Sequence, residues 1–491
     1  MTNTQQPANL GHTLLKNIAT LFAGRGLATV LSALAVILLA RYLGREQLGR
    51  YGAIYSYIGL YAWLATFGIE PILGREAAQN REQAGSILFT GSVICLVFAS
   101  ITTVIALVLA PHFGYGGGIW ALLLFAAIDR MLVVPFCLPG MVFQVDLRQW
   151  YAVSFGLIRQ VLWLLAIIFL AIGRASLFWV ILARTLCAIV EAILNSAGAW
   201  HKGLLPRPWE FLPKEARKFL IYSFPLALST LAINVYTRID QVMLHKMSSD
   251  LILGGYVAAV NLAEIFSLFP VSLMDAIFPV LSRSARNEED FERYLRFSYR
   301  ALMALVFGVC AVAVPLSKPL TRLVFGVKYG ASAPIFAALI WSEAAIFFGV
   351  VLKMGLIARN LQRYLAVSTV VGAIINIVLN IFWIPRYGAL GATWATNISY
   401  AVASIFIYFI FSPTRKFAWL GLRISLPAFA LALGVSGALA YSPLPLLLNL
   451  VLGIMLYGGG ALLIGVIRRD ELERLWRLMG SYLPSAHAET I

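Results

Sequence analysis

Residues 86–110 read SILFTGSVICLVFASITTVIALVLA, a run of 25 residues without one charged side chain. About 20 apolar residues in a helix cross the roughly 30 Å hydrocarbon core of a bilayer, so this run can span a membrane. The rest of the chain has the same character, with 60% hydrophobic and 12% charged residues among 491. Soluble domains carry about 25% charged residues. We therefore expect an all-α integral membrane protein.

Further apolar runs of similar length predict fourteen transmembrane helices in total. Their ranges are 18–42, 48–70, 86–110, 118–138, 150–172, 176–200, 218–245, 252–281, 298–325, 333–356, 363–385, 388–412, 418–440 and 445–467. Within a charged segment, Phe291, Tyr294 and Leu295 share one helical face, which predicts a helix lying on the membrane surface, with docking of a partner as the alternative.

The most hydrophilic interruption follows the sixth span and contains three prolines. We interpret residues 201–217 as a cytoplasmic linker. It separates an N-terminal lobe, residues 1–200, from a C-terminal lobe, residues 218–413. Two additional helices then occupy residues 414–467, and residues 468–491 form a cytoplasmic amphipathic tail.

A short motif occurs once in each half of the chain. Gly49-Arg50-Tyr51-Gly52-Ala53 leads into the second span, and Gly254-Gly255-Tyr256-Val257-Ala258 leads into the eighth. The shared G-x-Y-x-A pattern indicates two six-helix lobes related by an axis along the membrane normal, an arrangement used by many transporters.

The net charge of +16 arises mostly from lysines and arginines in the connections between spans. Connections on the side of the termini hold more than twice as many of them as the opposite side. The positive-inside rule therefore predicts cytoplasmic termini, and the excess suits anionic headgroups. We expect no nucleic-acid partner, because no basic run alternates with stacking aromatic residues. The four cysteines lie in separate apolar runs, so no metal site is expected.

Ionisable side chains inside spans need a partner or a watery cavity. Arg25 lies between two glycines in the first span, and Arg159 lies near the middle of the fifth. Both are candidate phosphate ligands, because a guanidinium binds phosphate through two parallel hydrogen bonds. The alternative for Arg25 is that its side chain extends to the cytoplasmic headgroups.

Arg130 and Arg184 are further candidates for substrate binding. Arg184 and Glu191 are seven residues apart and share a helix face, so a structural network that includes Arg159 is an equally good interpretation. Asp129 precedes Arg130 directly, and the two side chains point about 100° apart on a helix. They therefore do not simply neutralise each other.

The second half of the chain is richer in acidic residues within spans. Glu264 and Glu343 are candidates for proton or sodium coupling, because a buried carboxylate can bind and release a cation. The alternative is an ion pair with an arginine. Arg238 and Asp240, near the outer end of the seventh span, lie on different helix faces and are interpreted as a structural pair with the opposite lobe or a gate on the periplasmic side. No nucleotide, metal or nucleophile motif suggests an enzyme or a cofactor.

Several motifs resemble one known family. They are Lys16-Asn17, Arg41-Tyr42-Leu43-Gly44, Gly49-Arg50-Tyr51-Gly52, Phe224-Pro225, Arg238-Ile239-Asp240, Asn376 to Asn380, and Ile384 to Ala392. Together with length and span number, they resemble the polysaccharide-transport (O-antigen flippase) branch of the multidrug/oligosaccharidyl-lipid/polysaccharide (MOP) flippase superfamily. The resemblance covers essentially the whole chain.

The resemblance implies two six-helix lobes in a V around a cationic cavity, with alternating access. The implied substrate is an oligosaccharide joined by a diphosphate to undecaprenol, a polyprenyl carrier, in the inner membrane of a bacterium that makes lipopolysaccharide or a similar polysaccharide. Membrane lipids and polysaccharide polymerase or assembly proteins are the expected partners. Alternatives are a drug–cation antiporter of the same superfamily and a flippase for a peptidoglycan or teichoic acid precursor. A membrane glycosyltransferase is disfavoured by the short outer loops.

Overall fold

The computed structural model describes residues 7–116, 118–146, 148–205 and 209–466. Within these ranges the chain forms helices and turns, without strands. The helices are α1 Pro7–Thr66, α2 Glu70–Gln79, α3 Ala84–Leu109, α4 Trp120–Ala127, α5 Val134–Cys137, α6 Val142–Val145, α7 Trp150–Ile172, α8 Leu177–His201, α9 Pro213–Met247, α10 Asp250–Glu264, α11 Leu268–Arg283, α12 Glu288–Ala313, α13 Ser317–Phe325, α14 Ala333–Ala358, α15 Arg363–Tyr387, α16 Ala389–Ser404, α17 Ser412–Ala440 and α18 Leu446–Leu463. The predicted amphipathic tail, residues 468–491, lies outside the described residues.

Among the described residues, 12 helices are long and apolar enough to cross a membrane. The number rises to 13 if Pro213–Phe224 and Leu226–Met247, bent by 44°, form one span. The predicted span 18–42 and most of the predicted span 48–70 lie in α1, which ends at Thr66 and is divided at Gly44, where φ is 70°. The all-α membrane class is thus confirmed, whereas fourteen separate crossings stay a prediction.

The described chain groups into two compact units. Unit 1 contains the residues up to Ile265 together with 324–332 and 372–395, and unit 2 contains 266–323, 333–371 and the residues from Thr396 onward. Unit 1 thus includes α9 and α10, which the sequence analysis assigned to the second lobe. Helix α9 begins at Pro213, inside the predicted linker. The division into two six-helix lobes stays a prediction.

Within unit 1, α1 crosses α10 at the two copies of the G-x-Y-x-A motif. A Cβ atom on Gly49 would lie 2.9 Å from the backbone nitrogen of Gly254, and one on Gly254 would lie 3.0 Å from the nitrogen of Gly49. The same Cβ atoms would overlap the carbonyl oxygens of Asp250 and Arg45. The backbones touch here because small residues allow close helix approach. The repeated motif therefore marks a helix crossing.

Two tyrosines fasten connecting segments of unit 1 to α1. The Tyr115 hydroxyl donates to the carbonyl oxygen of Ala53 at 2.9 Å, and the Tyr329 hydroxyl donates to that of Ala40, also at 2.9 Å. Both tyrosines are buried. Each hydrogen bond satisfies a polar group that burial would otherwise leave unpaired. The segments after α3 and α13 are therefore held to the same helix.

The interior of unit 2 is aromatic and formed by α12, α14 and α17. Phe291, Tyr299 and Phe348 are fully buried, and Gly421 faces the last two so closely that a Cβ would lie 2.6 Å from Tyr299 Cζ. The predicted surface helix at 291–295 is wrong. Phe291 and Leu295 belong to α12, and their apolar face packs inside unit 2 instead of on the membrane.

The outer faces of several helices carry exposed apolar side chains. On α3 these include Val104 and Val108, and on α7 they include Leu165, Phe169 and Ile172. Such continuous apolar faces are unfavourable in water and suit the lipid tails of a bilayer. The protein is therefore a multi-pass membrane protein.

Candidate functional site

The candidate site of unit 1 begins at a π-helical turn, Ile128–Leu132, that follows α4. The turn carries the adjacent residues Asp129 and Arg130. Asp129 is buried, whereas Arg130 is exposed. Single π-helical turns within helices occur often at functional sites, because they turn side chains away from the regular helical direction.

Two arginines from neighbouring helices surround the Asp129 carboxylate. Arg159 of α7 lies 3.2 Å from Asp129 Oδ1, and Arg184 of α8 lies 3.1 Å from Asp129 Oδ2. Arg159 also pairs with Glu191 Oε2 at 3.0 Å. We call Asp129, Arg159, Arg184 and Glu191 the arginine–carboxylate cluster. With two cations and two carboxylates, it joins α7 and α8 to the π-helical turn and has no formal net charge.

Aromatic rings of α1 and α7 enclose this cluster. The Arg184 guanidinium lies 4.4 Å from the centre of the Tyr55 ring and 5.7 Å from that of Trp163, and it donates to the Tyr51 hydroxyl. Arg130 lies 5.6 Å from the same Tyr55 ring. These cation–π contacts add to the ion pairs. The sequence analysis missed these aromatic residues, although Tyr51 and Tyr55 have the four-residue spacing of one helix face.

Arg130 and Arg238 form no ion pair with any described residue, in contrast to Arg159 and Arg184. Arg130 lies close enough to Arg184 and Arg238 for their charges to interact. Arg238 is partly exposed, and its Cγ lies 3.9 Å from where a Cβ on Gly59 would stand. We call Arg130 and Arg238 the open arginine pair. Both side chains are accessible and neither forms an ion pair with a described residue, although Asp129 adjoins Arg130 and the charges of Asp240 and Glu264 reach Arg238.

Asp240 lies in a buried hydrogen-bond network of unit 1. Its buried carboxylate accepts hydrogen bonds from the Tyr256 hydroxyl and, at 2.7 Å, from the backbone N–H of Gln241. The Gln241 side chain in turn accepts from Ser56 of α1 at 2.6 Å. These contacts join α9 to α10 through Asp240, whereas a pair with the opposite lobe and a periplasmic gate stay predictions.

Glu264 lines a cavity of about 330 Å³ in unit 1. The walls come mainly from α1 and α10, with contributions from Gln160 and Phe325, and their residues are Ala28, Thr29, Ser32, Ala33, Val36, Ile37, Gln160, Asn261, Leu262, Glu264, Ile265 and Phe325. Glu264 is exposed and forms no ion pair with a described residue, although the charge of Arg238 reaches it. A carboxylate in this position is accessible to a cation or a proton.

Glu343 has a different environment. It is 2% exposed within unit 2 and accepts a hydrogen bond from the Ser267 hydroxyl at 2.7 Å. Glu343 is not among the residues that line the cavity at Glu264. Glu264 therefore lies in a cavity wall, whereas Glu343 lies in a packed interior, although both were predicted as coupling residues.

The side chain of Arg25 lies outside the described residues. Its neighbour Gly24 packs against Val153 of α7 so closely that a Cβ on Gly24 would overlap the valine side chain. Glycine is therefore required for the packing of α1 on α7 at this level. Phosphate binding by Arg25 stays a prediction.

Comparisons with known proteins fit this fold. A family model described as polysaccharide biosynthesis protein matches residues 14–285, more than half of the chain. A second model, lipid II flippase MurJ, matches residues 153–457. Among individual relatives, "Probable low-salt glycan biosynthesis flippase Agl15" of Haloferax volcanii is 23% identical over 398 residues, covering 80% of this chain and 82% of that protein.

Two solved structures have the same fold at low sequence identity. Lipid II flippase MurJ in an inward closed conformation gives a TM-score of 0.71 at 14% identity, covering 90% of this chain and 98% of that one. An inward-facing MATE family multidrug resistance transporter gives 0.62 at 15% identity, covering 81% and 95%. The chain therefore belongs to the polysaccharide biosynthesis protein family, within the MOP flippase superfamily.

Proposed function

We propose that the protein moves a polyprenyl-diphosphate-linked oligosaccharide from the cytoplasmic to the outer leaflet of a bacterial inner membrane. Membership in the polysaccharide biosynthesis protein family and the similarity to a glycan biosynthesis flippase support this substrate class. No bond is made or broken in such a process. The protein supplies a polar path for the headgroup, while the polyprenyl chain stays in lipid.

The open arginine pair is the observation that carries the proposal. A diphosphate crossing the bilayer loses its hydration and needs fixed positive charge to replace it. Arg159 and Arg184 already neutralise Asp129 and Glu191, so their charge is committed within the protein. Arg130 and Arg238 have no such partner among the described residues and can bind the diphosphate through guanidinium–phosphate hydrogen bonds.

The arginine–carboxylate cluster then has a positioning role. Its ion pairs and the contacts with Tyr51 and Tyr55 hold the π-helical turn that carries Arg130 against α1, α7 and α8. A wall that is already rigid binds a ligand without a further ordering cost. We therefore assign a positioning role to Arg159 and Arg184, and we assign substrate contact to Arg130.

Alternating access of the helices would expose the bound headgroup first to one side and then to the other. An anionic headgroup moving outward is favoured by the membrane potential, which contributes about 2.3 kcal/mol per charge per 100 mV. We assign coupling of the return step to protons or sodium ions to Glu264, which lines the cavity. Polymerase or assembly proteins remain the proposed recipients of the product.

Reconstituted vesicles test the proposal directly. The purified protein is incorporated into liposomes with a fluorescent undecaprenyl-diphosphate-linked oligosaccharide, and the fraction accessible to an external quencher is followed over time. We expect Arg130→Gln and Arg238→Gln each to slow translocation by roughly tenfold or more, since each removes a charge-assisted hydrogen bond. The control is Arg423→Gln, which removes an exposed arginine of α17 that lies outside the site.

Unchanged translocation in both arginine variants would refute the role of the open pair. Translocation by the wild type that does not exceed empty liposomes would refute the flippase itself. Lipid II, carried as a second fluorescent substrate, distinguishes the peptidoglycan alternative that the MurJ family model raises. A marked preference for lipid II would move the assignment to that substrate.

A drug–cation antiporter is the second candidate function. Its supporting observations are the fold of the multidrug resistance transporter and the exposed Glu264 carboxylate in a cavity that holds no lysine or arginine. The same vesicles, loaded to report uptake of a cationic dye against a proton gradient, separate the two functions. Dye uptake without oligosaccharide translocation would favour the antiporter.

A further inference from the structure

A second cationic pocket lies in unit 2, apart from the residues assigned to transport. Its volume is about 550 Å³, within the roughly 300–1,000 Å³ typical of ligand pockets. The walls are Ser282 and Arg283 at the end of α11, Arg286 in the following turn, and Arg359 with Asn360 after α14. We call this set the arginine pocket.

Three guanidinium groups border the arginine pocket, and its wall residues include no carboxylate. Arg283 and Arg286 form no ion pair with a described residue. Arg359 pairs with Glu288 at 2.5 Å, but Lys416 shares the same carboxylate. Glu288 is therefore shared between two cations, and the pocket walls themselves carry three positive charges without a negative one.

Arg359 is also held in place by packing. Its guanidinium lies 4.2 Å from the centre of the Phe291 ring, which is fully buried in unit 2. Among the described residues, the buried Nε atom of Arg359 has no hydrogen-bond partner, whereas a terminal nitrogen of the same guanidinium pairs with Glu288.

The position of the pocket along the helices indicates the kind of ligand. Helix α14 ends at Ala358 after an apolar stretch that is long enough to cross the membrane, so Arg359 and Asn360 lie where headgroups begin. The positive-inside rule assigns this arginine-rich end to the cytoplasmic leaflet, whose anionic lipids attract basic residues.

We propose that the arginine pocket binds the phosphate group of a membrane lipid. The guanidinium groups of Arg283, Arg286 and Arg359 provide the fork-shaped donors that phosphate oxygens accept. The Asn360 amide and the Ser282 hydroxyl supply neutral donors at the rim. The phosphate can come from an anionic phospholipid or from a polyprenyl diphosphate, and this inference holds whether or not the protein is a flippase.

Lipid binding to the detergent-solubilised full-length protein, measured by native mass spectrometry, tests the pocket. The probes are phosphatidylglycerol, undecaprenyl diphosphate and, as a headgroup without net charge, phosphatidylcholine. In Arg283→Gln/Arg286→Gln we expect roughly tenfold to hundredfold weaker binding of the better anionic probe. The Arg283→Lys/Arg286→Lys variant keeps the positive charge but lacks the fork-shaped guanidinium donors. Its affinity should therefore fall between those of the wild type and the glutamine variant.

The matched control is Lys353→Gln/Arg423→Gln, which removes two exposed cations of unit 2 outside the pocket. Its affinity should stay within about twofold of wild type. Preference for phosphatidylglycerol or for undecaprenyl diphosphate identifies the source of the phosphate. Equal weakening in the pocket variant and the control, or none in either, overturns the proposal, provided that all variants keep the melting temperature of the wild type.

Discussion

Gly49 and Gly254 occupy equivalent positions of the repeated motif and lie against each other where α1 crosses α10. A Cβ on either residue would come within 3.0 Å of the other glycine's backbone nitrogen. The two copies of the motif therefore meet at the point of closest approach between these helices. The repeated glycines thus contact each other across the helix pair.

Substitution at this contact should separate the helices. We expect Gly49→Ala to destabilise the protein by about 1–3 kcal/mol, because the added methyl would overlap the carbonyl oxygen of Asp250. The apparent melting temperature in detergent, followed by tryptophan fluorescence, measures the effect. Gly434→Ala on α17, where no atom lies within 4 Å of the new Cβ, is the control and should be neutral or slightly stabilising. Equal melting temperatures for the two variants would contradict the close contact.

The aromatic interior of unit 2 allows a similar test within one helix. Gly421→Ala on α17 would place a methyl 2.6 Å from Tyr299 Cζ and 2.7 Å from Phe348, whereas Gly437→Ala on the same helix meets nothing within 4 Å. We expect the first to lower stability by about 1–3 kcal/mol and the second to leave it unchanged or raised. Thermal unfolding in detergent compares them. If Gly437→Ala were destabilised as much as Gly421→Ala, packing against Tyr299 and Phe348 would not explain the result.

The carboxylates of the arginine–carboxylate cluster should differ in importance. The Asp129 side chain is 0% exposed and faces two arginines, whereas the Glu191 side chain is 21% exposed and faces one. Removing one partner of a buried pair costs about 3–5 kcal/mol, and an exposed pair contributes about 1 kcal/mol or less. We therefore expect Asp129→Asn to lower the melting temperature far more than Glu191→Gln. The reverse order would mean that Glu191 holds the cluster together.

The two glutamates proposed for coupling should respond differently to neutralisation. In Glu264→Gln, the translocation rate should no longer respond to an imposed proton or sodium gradient, because the accessible carboxylate of the cavity is lost. Glu343→Gln should keep that response, since Glu343 is buried and hydrogen-bonded to Ser267. Reconstituted vesicles with each gradient applied in turn measure this. A gradient response lost in Glu343→Gln but kept in Glu264→Gln would reverse the assignment.

Composition and apolar run length were sufficient to predict the membrane class and the approximate positions of the helices. Each predicted span overlaps a helix of the structure, because burying apolar residues in lipid dominates at that scale. The surface helix at 291–295 was predicted wrongly, because an amphipathic face that packs on α14 and α17 has the same spacing as one that lies on lipid.

The ion pairs were beyond what spacing can predict. Arg184 and Glu191 share a helix face, but their bonds go to Asp129 and to Arg159 on other segments. Partners across helices depend on rotation and depth, which the sequence of one helix does not specify. For the same reason, Arg159 was a stronger candidate than Arg130 from the sequence. In the structure Arg159 pairs with Asp129 and Glu191, whereas Arg130 forms no ion pair with a described residue.

The joint at Gly44 connects the two functional regions of α1. The segment with Ala28 and Ser32 in the cavity wall and the segment with Tyr51 and Tyr55 beside the arginines are joined at a single residue, Gly44, instead of a flexible loop. The chain of α1 is helical on both sides of Gly44 and therefore has no loop that could absorb a movement. Any tilt of the cavity wall must therefore be taken up at Gly44 or passed on to the rings around Arg184, so the two sites of unit 1 are linked mechanically.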